Sequence, residues 1–392
     1  MKVLFFRYRS ICEPDIIDAF LELGIEVIEF GLDIQDKSII SKEIINKLSK
    51  KLLQTPVDFV FSINFFPNVS DVCNIFHIRY FSWTVDSPVM SIFTKQIGNE
   101  WNRTFLFDRE QYKDVYKYNP DRIFHLPLAA NVNGKQYTID KASKDKTIKF
   151  SHDIAFVGSL YSEKNPYDEV ANLAEYYRGI LDGIIAAQEK VYGYYFVDEI
   201  LTDEIIEEYK KACTDFYSQA GLETYLNDKI TMSQLYIGNK ITERERYHLF
   251  KYLSDNAEFT IYTNSDTSLL KNIKNMGTCD SITEMPLVFN NTKININTTS
   301  KAIRSGIPLR VFDVLACGGF LISNYQAEIP EIFEMGKDLV VYSSIEECAD
   351  LCEYYLNHES ERKEIARLGY ETVKNNHTYT IRIAHMLKMG LS

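Results

Sequence analysis

The 392-residue chain has no lysine-rich or arginine-rich run, and its formal net charge is −12. Sequence-independent nucleic-acid binding needs a basic surface that releases counterions from phosphates, so that class is disfavoured. Room remains for a local basic pocket that takes one small anion. Long hydrophobic runs are missing too, and no stretch is long enough to span a bilayer. The opening run Met1-Lys2-Val3-Leu4-Phe5-Phe6 is too short for a signal peptide and is broken by Arg7 and Arg9. The seven cysteines (Cys12, Cys73, Cys213, Cys279, Cys317, Cys348, Cys352) have no paired metal-type spacing. Cys348 and Cys352 share one face of an expected helix and read as packed thiols rather than half of a zinc site. The histidines are equally unpaired, no Asp-X-Asp occurs, and no internal repeat or low-complexity tract is visible. No metal is expected, and a reducing cytoplasm is the expected location.

What is present is ordinary globular material, 45% hydrophobic and 25% charged. The length calls for two domains of roughly 150–200 residues each. In the first third, short apolar strands alternate with amphipathic helices. Strands are expected at Val3–Tyr8, Glu26–Phe30, Phe59–Asn64, Tyr80–Val85, Arg103–Phe107 and Phe124–Leu128, with a helix that has Pro14 near its first turn and ends at Gly24, and another at Ile39–Leu53. Such alternation implies βαβ units and a mostly parallel sheet covered on both faces.

The polar run Asp140–Lys146 has no apolar periodicity and reads as a linker, after which an apolar strand restarts at Asp153–Val157 and ends in Gly158-Ser159. From about 165 to 235 the pattern is helical and rich in tyrosine and acidic residues, an inserted segment. The α/β alternation then resumes with a helix at Glu243–Leu253 and strands at Phe259–Tyr262, Ile294–Ile296, Phe320–Ser323 and Leu339–Tyr342. The expected division is a first domain at 1–138, a linker at 139–152, a second domain at 153–375 and a C-terminal helix at 376–392 that packs back on the first domain. Two parallel sheets offer ligands the carboxyl ends of their strands.

The segment Ser305–Gly319 carries the strongest chemical signal. Pro308 suits the first turn of a helix. Leu309, Phe312 and Ala316 fall on one face, and Gly318-Gly319 stops the helix before a strand. The Ser305-Gly306-Ile307 turn therefore precedes a helix N-terminus, where backbone N–H groups attract an anion. Arg304 and Arg310 flank the turn and are candidates for charge-assisted hydrogen bonds to a diphosphate. Asp313 is a candidate acceptor for two ribose hydroxyls. The bland alternative is a Gly-Pro turn before a helix, with Arg310 and Asp313 as a surface pair.

Lys293–Asn297, Arg304–Asp313 and Ala316–Leu321 together resemble the donor-site signature of the CgeB-like (spore maturation protein) glycosyltransferase family. Asp153–Tyr161 resembles that family's second-domain opening. Trp83 with Asp86-Ser87-Pro88, and Leu126-Pro127-Leu128-Ala129, resemble its N-terminal half. The resemblance implies a GT-B fold, with two Rossmann-like domains and a helical insertion in the second. It implies transfer of a sugar from a nucleoside-diphosphate sugar, UDP-linked, to a hydroxyl acceptor on a protein or envelope glycan, without a cofactor or metal. The donor lies on the C-terminal domain and the acceptor faces the N-terminal one. Many retaining enzymes of this fold carry two glutamates separated by seven residues. Here Asp313 holds the second position and Ser305 the first.

Other residues join the candidate donor site. Gly158 and Ser159 end a buried strand, where a glycine admits a ligand close to the backbone. Asn297, Asn324 and Tyr325 end later strands. Thr242 reads as an N-cap with Glu245 completing a capping box, and the resemblance raises Arg244 as a diphosphate contact. On the acceptor side, Asp86 is the candidate general base, with an N-cap role as the alternative. Ser62 and Asn64 are candidate acceptor-lining residues, and Trp83 a candidate sugar-stacking ring, although a core tryptophan is commoner. Two further readings stay open: a nucleotide-sugar epimerase on the same fold, and a non-catalytic envelope or assembly protein.

Overall fold

The computed structural model describes residues 1–34, 41–170, 172–219 and 221–391. Ile39 and Ile40 of the expected second helix, Ala171 and Ala220 of the expected insertion, and Ser392 of the expected last helix lie outside the described residues. The chain forms two compact units, one of residues 1–131, 218–226 and 377–392, the other of 132–217 and 227–376.

In the first unit, β1 (Lys2–Phe6), β2 (Glu26–Phe30), β3 (Phe59–Ile63), β4 (Arg79–Trp83), β5 (Asn102–Leu106) and β6 (Ile123–His125) form one six-stranded sheet in the order β2-β1-β3-β4-β5-β6. Every pairing is parallel. Helices cover both faces, so the central strand is buried at every position rather than at alternate ones; all five residues of β3 are buried. Phenylalanine fills this core. Phe61 lies 5.1 Å from Phe5 and 5.2 Å from Phe20, and Phe59 lies 5.0 Å from Phe81. The helix Lys42–Gln54 follows from Ile44, Leu48 and Leu52 on one face, and Ser41 caps it by accepting from the Ile44 N–H. The last helix, Tyr379–Leu391, belongs to this unit: Tyr379 packs edge-on against Trp83 at 5.9 Å, and Arg103 donates to the Gly390 carbonyl.

In the second unit, β7 (Ile154–Val157), β8 (Phe259–Tyr262), β9 (Lys274–Asn275), β10 (Ile294–Asn297), β11 (Leu321–Asn324) and β12 (Val340–Tyr342) form a second parallel sheet, ordered β12-β11-β10-β7-β8-β9. β9 was not expected; its two residues are exposed and leave no apolar run. The polar stretch read as a linker carries a short helix, Lys144–Lys149, capped by Ser143. The helix Val132–Asp140, which falls mostly within the expected first domain, packs in the second unit: Gln136 donates to the Ala316 carbonyl at 3.0 Å.

The inserted segment has a core of its own, built on Leu181, Ile185, Tyr209, Tyr236 and Ile237. Tyr167, Tyr195, Tyr209 and Tyr236 pack there, with Phe216 and Tyr236 stacked at 5.1 Å. A π-helical stretch, Thr231–Ile237, runs directly into the long helix Gly238–Asn256. This overturns the expected helix start. Thr242 is interior and its hydroxyl donates back to the Gly238 carbonyl at 2.7 Å, so it caps nothing. Gly318 and Gly319 do end the helix Leu309–Ala316, for two different reasons. Gly318 has φ +69°, and a Cβ on Gly319 would stand 2.5 Å from the Phe289 carbonyl oxygen.

Candidate functional site

Each sheet has one place where the strand order reverses. In the second unit it lies between β7 and β10, because β8 follows β7 on one side and β10 flanks it on the other. Loops leaving the carboxyl ends of such a pair diverge and leave a crevice. The loop after β7 begins with Gly158 and Ser159. It is knit tightly: Ser159 Oγ accepts from the Tyr161 N–H at 2.8 Å, and the Leu160 N–H donates to Ser265 Oγ at 2.7 Å. The loop after β10 runs from Thr298 to Pro308. Thr299 N–H donates to Asn324 Oδ1 at 2.7 Å, and Asn297 Nδ2 donates to Thr299 Oγ1 and Ser323 Oγ. Asn297 and Asn324 are buried, and their carboxamides hold strand-end loops together.

The turn before the helix Leu309–Ala316 is also pinned from below. Ser305 Oγ bonds Glu328 Oε1 at 2.7 Å, and Gln326 Nε2 donates to the carbonyls of Ile303 and Gly306. Ser305, Gly306 and Ile307 are buried, and Pro308 is the residue just before the helix rather than within its first turn. A buried carboxylate thus does stand at Ser305, contributed by Glu328 from 23 residues further on. Tyr325 lies against Gly193 of the insertion; a Cβ there would meet the ring at 2.4 Å.

The basic residues separate into distinct environments. Arg310 turns to the helix Met285–Asn291, with its guanidinium 5.0 Å from the Phe289 ring centre and Nη1 3.0 Å from Met285 Sδ. Burial pulls its pKa down, and Asp313 opposes this. Arg304 faces Asp198 of the insertion at 3.5 Å. Asp313 is buried and its Oδ1 lies 2.9 Å from Lys135 Nζ. Lys301, buried, pairs with Glu245 at 3.4 Å, lies 4.0 Å from the Tyr192 ring centre and donates to the Val191 carbonyl. Burial pushes the Glu245 carboxyl up, with Lys301 pulling it back.

Arg244 is placed away from this crevice. It pairs with Glu189 at 3.3 Å and lines a cavity of about 260 Å³ with Leu160, Tyr247, His248 and Leu270. Residues two apart on a helix point in nearly opposite directions. Arg246 is accordingly the one turned to the strand ends, where its guanidinium donates to the carbonyls of Ser159 and Thr298. Nothing in the local sequence distinguishes the two arginines, and the helix start inferred from Thr242 gave no phase to choose between them.

In the first unit the reversal lies between β1 and β3. There Asn64, with φ +56°, donates through Nδ2 to Asp86 Oδ2 at 2.8 Å and to Tyr8 OH at 2.9 Å, and accepts from the Val85 N–H. Asp86 is exposed. Burial, with Asp86 adding to it, pushes the Tyr8 phenol up, so it stays protonated. Tyr8 had no motif to reveal it. Ser62 is fully buried and bonds the Asn64 carbonyl and Tyr80 OH, which puts it beneath the cluster. Trp83 does not present a face for stacking: it is fully buried and donates to the Leu126 carbonyl.

A family model described as "Glycosyl transferase-like" matches residues 244–388. No curated protein sequence matches the chain. Solved structures do. The chain resembles a glycosyltransferase from Rickettsia africae at 12% identity, covering 99% of this chain and 97% of that one, with a TM-score of 0.53. It resembles HepE of Anabaena in complex with UDP and glucose at 10% identity, 99% of each chain and 0.54. It resembles an α,α-trehalose 6-phosphate synthase from Burkholderia multivorans at 9% identity, 99% and 98%, and 0.55. At such identities the likeness establishes the fold: two parallel six-stranded sheets with helices, as in GT-B glycosyltransferases. Among the described residues no helix is long and apolar enough to cross a membrane.

Proposed function

We propose that the protein is a glycosyltransferase that moves a hexose from a nucleoside-diphosphate sugar, UDP-linked, to a hydroxyl acceptor on a protein or envelope glycan. The observation that carries this reading is the convergence of three loops, after β7, β10 and β11, at the point where the second sheet's order reverses. Arg246 and Lys301 lie there, in a chain whose net charge is −12. The second unit takes the donor. Gly306 and the helix Leu309–Ala316 lie toward the diphosphate, and Asp313, oriented through its Oδ1 by Lys135, accepts from the ribose. The first unit takes the acceptor, with Asp86 as base, oriented by Asn64. No metal or cofactor takes part, and the protein acts in the cytoplasm as a CgeB-like enzyme. HepE, solved with UDP and glucose, supports the donor class.

Incubation with a panel of nucleotide sugars tests this. Slow release of nucleoside diphosphate without acceptor is the expected result. Isomerised sugar would show an epimerase instead, and failure to bind any nucleotide would remove both enzyme readings.

A further inference from the structure

Arg246 is a buried charge at the strand ends of the second unit. It is 8% exposed, on the helix Gly238–Asn256. Its guanidinium spans the crevice between β7 and β10: Nη1 bonds the carbonyl of Ser159, just after β7, and Nη2 the carbonyl of Thr298, just after β10, at 2.6 Å. Phe156 and Tyr161 lie against it, with ring centres 5.3 and 4.8 Å from Cζ. Its Nε is buried without a hydrogen-bond partner.

Its neighbours make the contrast. Arg244 has Glu189, and Lys301 has Glu245. Arg304 has Asp198. Arg246 has two carbonyls and two rings; the neighbouring buried Glu245 attracts it but is already paired with Lys301, so one positive charge among these three groups stays unbalanced. Backbone carbonyls satisfy donors but do not cancel a charge, and a buried charge without a counterion is costly. Arginine keeps its proton where lysine would lose it, so burial here does not resolve itself by neutralisation. The charge sits at the point where a doubly wound sheet receives its ligand.

We infer that Arg246 is the residue whose charge the donor's diphosphate neutralises, and that it also fixes the spacing of the two loops that hold that diphosphate. This rests on the donor-site reading given above, and it assigns the phosphate charge to Arg246 rather than to Arg244 or Arg310. The diphosphate balances the positive charge left over because Glu245 is shared between Lys301 and Arg246. The bridge to Ser159 and Thr298 keeps the guanidinium in place before the ligand arrives, so little ordering is left to binding.

The test uses the full chain and titrates UDP, GDP and ADP and then their nucleosides, by calorimetry. Arg246→Met should lower affinity for the preferred diphosphate at least tenfold while changing affinity for the matching nucleoside less than threefold. Arg246→Lys, which keeps the charge and loses the fork, should recover part of the loss. The salt dependence of diphosphate affinity should flatten in Arg246→Met alone. Equal losses for diphosphate and nucleoside would show a purely structural residue and overturn the inference, as would unchanged diphosphate affinity. If the wild-type protein binds none of the three diphosphates, the donor-site reading itself fails and this inference falls with it. Should Arg246→Met not fold, Arg246→Lys with the same two ligands still decides: a loss shared by both ligands refutes the charge role.

Discussion

The two sheets reverse their strand order in the same way and carry opposite chemistry at that place. In each, the strand order reverses beside the first strand, and the loops after the two flanking strands carry a polar cluster. Between β1 and β3 that cluster is neutral to acidic, with Tyr8, Asn64 and the exposed Asp86. Between β7 and β10 it is buried and carries two cations to one carboxylate, with Arg246 across the crevice and the Lys301–Glu245 pair beside it. Topology therefore chooses the place and side chains choose what comes there. An exposed carboxylate suits proton removal from a hydroxyl, and a buried guanidinium suits a phosphate.

The comparison breaks most visibly at Asp86. Asp86→Asn should slow release of nucleoside diphosphate by about 10²–10⁴-fold, with nucleotide affinity unchanged by calorimetry. A rate within a few-fold of normal would take the first cluster out of the chemistry. Trp83→Ala should cost about 3–5 kcal/mol in denaturant unfolding, because a fully buried indole leaves a large cavity. A loss below about 1 kcal/mol would return the ring to the surface.

Asp313→Ala leaves Lys135 buried without its partner, and should destabilise by roughly 3 kcal/mol. It should also weaken nucleotide binding. The double change Lys135→Met with Asp313→Leu should recover stability but not affinity; affinity restored along with stability would mean that Asp313 serves only the pair. The smallest effect belongs to Arg244→Ala, which removes a partly exposed pair with Glu189 and should cost under about 1 kcal/mol. Nucleotide affinity should not move. A large drop would place the phosphate on the other face of that helix and sharpen the comparison against Arg246.

The strands were legible because burial on both faces writes near-continuous apolar runs such as Phe59–Ile63, broken only by Ser62. β9 escaped because two exposed residues write none. The helix Gly238–Asn256 was misplaced at its start because Thr242, Glu245 and Arg246 are polar residues buried on its inner side, and they interrupt the apolar stripe. The donor-type turn and its helix were legible from Gly306, Pro308 and the glycines that follow. Their partners were not: Glu328 reaches Ser305, and Lys135 reaches Asp313 across 178 residues, 313 minus 135.

By itself the sequence determined the alternation of strand and helix, the two parallel sheets and the helix Leu309–Ala316 with the turn before it and the glycines after it. Periodicity, caps and turn residues act over a few positions, and those interactions are written in order along the chain. Only the tertiary structure decided which charge is spent and which is left open. Arg304, Arg310 and Asp313 looked alike as candidates, yet each found a partner from a distant segment. Arg246 alone among these was turned to the strand ends with carbonyls in place of a carboxylate, because packing of the helix on the sheet, and not local spacing, set the direction of its side chain.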